Sequence, residues 1–351
     1  MYAFRPYFLI LELQILILAA STILMPPSTV AAADSWRDYA ARPDSWYRSE
    51  EGLRVADNVL SFQSPQGSWP KSVATAATRY QGDPRRLRGT FDNGATRSEI
   101  RFLARAYRAT AEPRFQDAVQ RALDHILQAQ YASGGWPQSY PPGNGYHRHI
   151  TFNDGTMVGL MLLLREVADS DAFALVGPLR RRQAGEAFER GVDCILKCQI
   201  VVDGQPTAWC AQHDAETLQP RGARSYEHPS LSGGESAGIV RLLMGLDDPG
   251  PDVVWAVNAA CQWYRQAKLT GIRQIRRDGD KQIVPDPKAP PLWARFYEIG
   301  TNRPIFSGRD GVIKYDLAQI ERERRTGYSW YGPWGAEVLA DWAKWKQKHG
   351  Q

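Results

Sequence analysis

Apolar residues recur three and four positions apart through most of the chain, as at Ile100, Leu103, Ala104 and Tyr107 and again at Ile239, Leu242, Leu243 and Leu246. That spacing lines one face of a helix. From Met157 to Leu164 the run is apolar nearly all round apart from Gly159, which predicts a helix buried on every side. Alternation of apolar and polar positions is scarce. Its best instance is Ile272–Val284, a hairpin expected to turn at Asp278-Gly279. The fold class expected is all-α.

A weak internal repeat organises these helices. Gln63-Ser-Pro-Gln-Gly67-Ser-Trp69-Pro70 recurs as Gln130-Tyr-Ala-Ser-Gly134-Gly-Trp136-Pro137. Each copy is followed by an echo, Phe91-Asp92-Asn93-Gly94 and then Phe152-Asn153-Asp154-Gly155. A third unit runs through Trp209 and Ser232-Gly-Gly-Glu235, and Trp293 marks a degenerate fourth. Each unit reads as helix, long loop rich in Trp and Gly, second helix and short connection. Helical hairpins that each leave an apolar face for the next to cover stack into an α/α toroid. All the long loops then share one rim. Connections of roughly 20 to 60 residues are far beyond the usual length and are functional or disordered, and their Trp and Pro content argues against disorder.

The N-terminus changes the compartment. An apolar run from Phe8 to Met25, then Pro26-Pro27 and Ala31-Ala32-Ala33, has the pattern of a signal peptide cleaved after Ala33. The alternative, an uncleaved anchor, is weakened by Glu12 and Gln14 inside the run. Residues 34–351 are then one catalytic domain, secreted or periplasmic and expected to be a monomer. The formal net charge of +5 favours a polyanionic partner without distinguishing nucleic acid from acidic polysaccharide. Cys194, Cys198, Cys210 and Cys261 allow one disulfide but no disulfide framework or zinc site.

Candidate chemistry gathers in the loops. Asp92 and Asp154 each precede a predicted helix, where an Asp commonly caps the first turn. As two equivalent carboxylates on one rim they could instead converge on a hard cation. Arg221, Arg224, Arg295 and Arg309 lie among Trp, Tyr and Gly, and guanidinium groups suit bidentate recognition of carboxylates. Trp69, Trp136 and Trp209 read as plugs of the loop layer rather than sugar platforms. His147 and His149 read as ordinary loop residues for want of a third soft ligand.

Taken together, Gly-Ser-Trp69-Pro-Lys71, Thr90-Phe-Asp92-Asn-Gly-Ala-Thr96, Gly-Gly-Trp136-Pro-Gln-Ser-Tyr-Pro141, Phe152-Asn-Asp154-Gly-Thr156, Ala208-Trp-Cys-Ala-Gln-His-Asp214, Arg224-Ser-Tyr-Glu-His-Pro229 and Phe306-Ser-Gly-Arg309-Asp-Gly311 resemble the pectate lyases of polysaccharide lyase family 10. The likeness runs from about Trp46 to about Trp334. It implies a secreted pectate lyase that cleaves α-1,4-linked polygalacturonate by calcium-assisted β-elimination. By the same resemblance Arg224 is the base, Asp92 and Asp154 help hold Ca2+, and Arg295 and Arg309 contact the substrate. A positive field at the rim is expected to favour the neutral form of Arg224. No nucleic-acid partner and no membrane association after signal removal are expected.

Three rivals stand beside this reading. The Gln/Trp repeat also matches terpene cyclases, but no Asp-x-Asp-Asp occurs. An inverting glycoside hydrolase would use Asp92 and Asp154 as acid and base. A non-catalytic polyuronate-binding protein would keep the arginines without turnover.

Overall fold

A computed structural model describes residues 36–349, so the apolar leader and its Ala33 junction lie outside the described residues. Two short helices, α1 (Trp36–Ala41) and α2 (Asp44–Tyr47), lead into α3 (Glu50–Ser61), α4 (Arg97–Thr110), α5 (Pro113–Gln128), α6 (Thr156–Asp169), α7 (Gly177–Cys198), α8 (Glu235–Met244), α9 (Pro251–Gln266), α10 (Arg322–Gly327) and α11 (Trp334–Lys348). Helices α4, α6, α8 and α11 pack side by side as an inner arc, and α5, α7 and α9 form an outer arc against them. This is the α/α toroid. Among the described residues no helix is long and apolar enough to cross a membrane.

Short connections start each outer helix, and a proline stands in the first turn of α5, α7 and α9. Proline is tolerated there because its missing N–H would have no partner in any case. The helices then end in the long loops, where the repeat shows its purpose. Trp69, Trp136, Trp209 and Trp293 are fully buried. Their Nε1–H groups donate to the carbonyls of Val59, Ile126, Ile195 and Tyr264 near the ends of α3, α5, α7 and α9, at 2.7 to 2.9 Å. Each Trp thus bonds a last-turn helix carbonyl while burying a large ring, although Val59 O also accepts from Phe62 N–H (3.2 Å).

The glutamines stitch one unit to the next. Gln63 Nε2 donates to Gly67 O and to Ala118 O of α5, and Gln130 Nε2 repeats this with Gly134 O and Ala187 O of α7. Gln199 does the same with Thr207 O and Ala256 O of α9, a third copy that the diverged sequence around it hides. Gly67 and Gly134 are required at their corners. Both have positive φ (107° and 93°), and an added Cβ would lie 2.7 Å from Arg121 O or 2.1 Å from Arg190 O.

Strands are brief and knit the loops together. Ile150–Thr151 pairs with Gln212–His213, which pairs in turn with Pro220–Arg221, and Leu231–Ser232 pairs with Phe296–Tyr297. The predicted hairpin forms between Ile272–Arg277 and Asp280–Pro285, turning at Asp278 (φ 51°) and Gly279 (φ 73°). A second hydrophobic cluster of Tyr226, Phe296, Ile305, Phe306, Leu317, Ile320, Tyr328 and Trp330 sits within these loops, so the rim has a core of its own.

One expectation needs correction, and one question the sequence left open is answered. Helix α6 is not buried on every side, because Leu162 is 43% exposed where it lines a cavity between α6, α8 and α11. All four cysteines are buried free thiols, so no disulfide forms among them.

Candidate active site

Two tight turns set the site at the N-terminal ends of α4 and α6. Asp92–Gly94 and Asn153–Gly155 are single 3-10 turns lying against each other, with Asn93 and Asp154 both at φ 51°. This corrects the equivalence expected of the two aspartates. Asp154 corresponds to Asn93 in the repeat, and Asp92 corresponds to Asn153. Neither aspartate caps its helix, since the cap residues are Thr96 and Gly155 and no side-chain cap bond forms. Asp92 is 1% exposed, whereas the Asp154 side chain is 35% exposed.

Asp92 Oδ2 accepts from Lys71 Nζ and from Gln138 Nε2 (2.6 Å), a residue of the next repeat. Its Oδ1 is buried without a hydrogen-bond partner. A buried carboxylate oxygen left unpaired is costly unless something else satisfies it. Asn93, Asn153 and Asp154 add oxygen atoms to these adjoining turns, the ligand type a hard divalent cation takes, although among the described residues no group of three or more Asp, Glu, His or Cys side chains is placed to hold a metal ion. Between the turns lies Arg97, whose Nη1 donates to Gly155 O at 2.9 Å. Gly159 of α6 makes room for that guanidinium, because an added Cβ would stand 1.1 Å from Arg97 Nη1.

Arg295, on the loop after α9, joins this region to the rest of the rim. Its Nη2 donates to Asn153 Oδ1 (3.1 Å), to Asp154 Oδ1 (3.4 Å) and to Glu235 at the start of α8. Only 11% of its side chain is exposed, and its Nε is buried without a partner. Burial pulls the Arg295 pKa down, but Glu235, Tyr328 and Asp154 outweigh it and hold the guanidinium above its ordinary value. Asp154, Glu235, Arg295, Ser329 and Trp334 line a cleft of about 270 Å3.

Tyr328 is the hub that the sequence did not disclose. Its ring lies under Arg295 (4.6 Å to the ring centre) and under Arg224 (5.6 Å), and its hydroxyl donates to Glu227 Oε1 at 2.7 Å. Arg224 also lies over Tyr226 (5.0 Å), and Nε and Nη2 of Arg224 both donate to Glu227. Burial would push the Glu227 carboxyl up, but its bonds from Arg224 and Tyr328 hold it below the usual range. The same pairing holds Arg224 above its ordinary pKa. The expectation that the rim favours a neutral Arg224 is therefore reversed in this state. The nearest formal charge is an anion 3 residues away rather than another cation.

Arg309 completes the array from the hairpin tip at Gly308–Gly311. Its Nη2 and Nε pair with Glu323, which also holds Arg324, and Arg324 lies over Tyr226 (4.6 Å). Gly311 approaches Ser225 O, next to Arg224. Asp154, Arg295 and Arg224 are thus linked through Tyr328, and Arg309 joins them through Glu323, Arg324 and Tyr226, while Asp92 lies in the turn packed against that of Asp154. Arg221 pairs with Asp214 instead, and His147 stacks on Tyr146 (4.0 Å).

A family model described as pectic acid lyase matches residues 63–339. A mutant of the family 10 polysaccharide lyase from Cellvibrio cellulosa, in complex with trigalacturonic acid, is 34% identical with a TM-score of 0.76, over 91% of this chain and 100% of that one. A second structure, of the family 10 polysaccharide lyase from Cellvibrio cellulosa, is 36% identical with a TM-score of 0.74, over 88% of this chain and 95% of the other. No curated protein sequence matches.

Proposed function

The chain belongs to the pectic acid lyase family, within family 10 of the polysaccharide lyases, and from that premise we propose that it cleaves α-1,4-linked polygalacturonate by calcium-assisted anti β-elimination, releasing 4,5-unsaturated oligogalacturonates. The observation that carries this reading is the linked set of Asp154, Arg295, Tyr328 and Arg224, beside the packed turn that buries the unpaired Asp92 Oδ1. A trigalacturonate ligand in a related lyase supports the same substrate class here.

The roles follow from the chemistry of a uronate. Its C5 proton becomes acidic only as the neighbouring carboxylate is neutralised, and pre-placed cations stabilise the charge that develops there. Calcium held by Asp92 and Asp154 would supply that Lewis-acid stabilisation. Arg309, 65% exposed along its side chain, is free to exchange Glu323 for a substrate carboxylate. Arg295, almost buried, holds Asp154 and Glu235 in place and offers its charge across the cleft. Arg224 is the base: its Nη1 is the nitrogen left over by the pair with Glu227. In the neutral form Nη1 takes the C5 proton, the electron pair forms the C4–C5 double bond, the C4–O bond breaks, and the leaving oxygen takes a proton from water.

Because Glu227 keeps Arg224 protonated, the reactive form is scarce near neutrality and an alkaline optimum follows. We also assign residues 1–33 to an export signal and residues 34–351 to the catalytic domain of a monomer, secreted or periplasmic, which N-terminal sequencing of the exported protein tests. The direct test of the chemistry is ultraviolet absorbance over time with polygalacturonate at alkaline pH, with calcium and then with excess chelator. A calcium-dependent rise is expected, and its loss in Arg224→Ala with substrate binding intact. No rise from folded protein under either condition rejects β-elimination, and a new saturated end would indicate hydrolysis.

A further inference from the structure

The outer wall carries a groove whose chemistry differs from that of the rim. Of the twelve tryptophans, Trp255 on α9 is the one whose side is open to solvent, at 58% exposure. It lines a groove of about 610 Å3 between α9, the turn at Asp203–Thr207 and the turn at Gly300–Asn302. That volume falls within the range of roughly 300 to 1,000 Å3 typical of small-ligand pockets. Trp255, Ala259, Gln262 and Gln266 are spaced four, three and four apart, so they form one stripe along the helix, about 16 Å long at 1.5 Å per residue. Ala259 is small, which leaves the flank of the indole open beside the row of amides.

The polar groups of this groove are almost all amides. Gln205, Gln262 and Gln266 are exposed, and their side-chain amides make no hydrogen bond within the described residues. Asn302 accepts from Trp263 Nε1 (2.8 Å), which fixes its orientation and leaves its NH2 as a donor. An amide offers both a donor and an acceptor, matching the hydroxyl groups of a sugar, and the electron-rich indole face suits the C–H face of a pyranose ring. The groove holds no Lys, Arg or His, and its single charged residue is Asp203. A uronate chain would find an anion here and no cation to meet its carboxylates.

We propose that this groove is a second carbohydrate-binding site, specific for an uncharged polysaccharide. It acts independently of the rim chemistry and holds the enzyme on material in which its acidic substrate is mixed with neutral glycans, raising the local substrate concentration. Native gel electrophoresis through gels containing galactan, xyloglucan, glucomannan or polygalacturonate tests it with the intact protein. Retardation by at least one uncharged polymer is expected. Binding should weaken by roughly tenfold or more in Trp255→Ala, as for an aromatic anchor, and to a lesser degree in Gln262→Ala/Gln266→Ala. Activity on soluble polygalacturonate should stay within twofold of wild type, which separates failure of this site from failure at the rim. Mobility unchanged in all three uncharged polymers overturns the proposal, as does retardation insensitive to Trp255→Ala. Sedimentation showing that the wild type self-associates through Trp255 would assign the surface to protein contact instead, and would also overturn it.

Discussion

Glu99 gives the fold a pH dependence that can be worked out from its surroundings. It lies in the first turn of α4, 3% exposed, with Oε1 accepting from Thr75 Oγ1 (3.1 Å) and Oε2 buried without a partner. Burial pushes its carboxyl from 4.5 up to about 7, against the smaller opposing effect of hydrogen bonds from backbone N–H groups and Thr75. The native state therefore retains a proton between pH 4.5 and 7 that the unfolded chain has released. Stability from this group is complete below pH 4.5 and is lost as pH rises through 7. At 1.36 kcal/mol per pH unit the loss amounts to about 3 kcal/mol. Glu99→Gln keeps the shape and the acceptor for Thr75 but cannot ionise. Denaturant unfolding at pH 5 should show the variant equal to wild type or slightly weaker, since its amide NH2 lacks an acceptor at the Oε2 position. At pH 8.5 the variant should be the more stable by about 1 to 3 kcal/mol. A stability difference that is the same at both pH values would refute the reasoning, because it would mean that Glu99 ionises as freely in the folded chain as in the unfolded one.

Two further substitutions probe the rim. Glu227→Gln removes the anion that holds Arg224 charged, so if Arg224 is the base the rising limb of the pH–rate profile should move down by about one to three units. A fall in kcat with the limb unmoved would make Glu227 a support and count against the base. Gly159→Ala should behave oppositely in two backgrounds. In the wild type the new Cβ displaces Arg97 from Gly155 O, disturbing the turn that carries Asp154, and both stability and kcat/KM should fall. In Arg97→Ala the same change should stabilise by about 0.5 to 1 kcal/mol, as Gly to Ala does within a helix; additive effects on unfolding would sink the idea that Gly159 exists to seat Arg97.

The toroid was legible because its signal is redundant. Helical spacing, the Gln/Gly/Trp corners and the shared rim each report the same stacking, and each has a local cause: a helix carbonyl for the indole N–H, a neighbouring helix for the glutamine amide, a close backbone for the glycine. A repeat survives divergence when such a contact survives, which is why Gln199 keeps its two bonds although the sequence around it has drifted.

The candidate residues of the site could be named from the sequence, but not the contacts among them. Phe91-Asp92-Asn93-Gly94 and Phe152-Asn153-Asp154-Gly155 look like copies that differ by an exchange of two similar residues, yet the second and third positions of such a turn face different surroundings. One is buried against Lys71 and Gln138, and the other is left-handed and open to the cleft. One-dimensional similarity scores the exchange as trivial, while the turn converts it into one buried and one accessible carboxylate. Glu227, which holds Arg224 charged, is three residues away, but the more distant partners of Arg224 and Arg295 are harder still to see. Tyr328 and Glu235 lie 104 and 60 residues from the arginines they serve (Arg224 and Arg295), and their proximity is created by loops folding over the small core around Phe296 and Trp330. No periodicity encodes such pairing. A loop-borne site of this kind holds its geometry because the rim buries enough aromatic surface to fold as a layer, so the residues that fix the chemistry are the ones that pack rather than the ones that react.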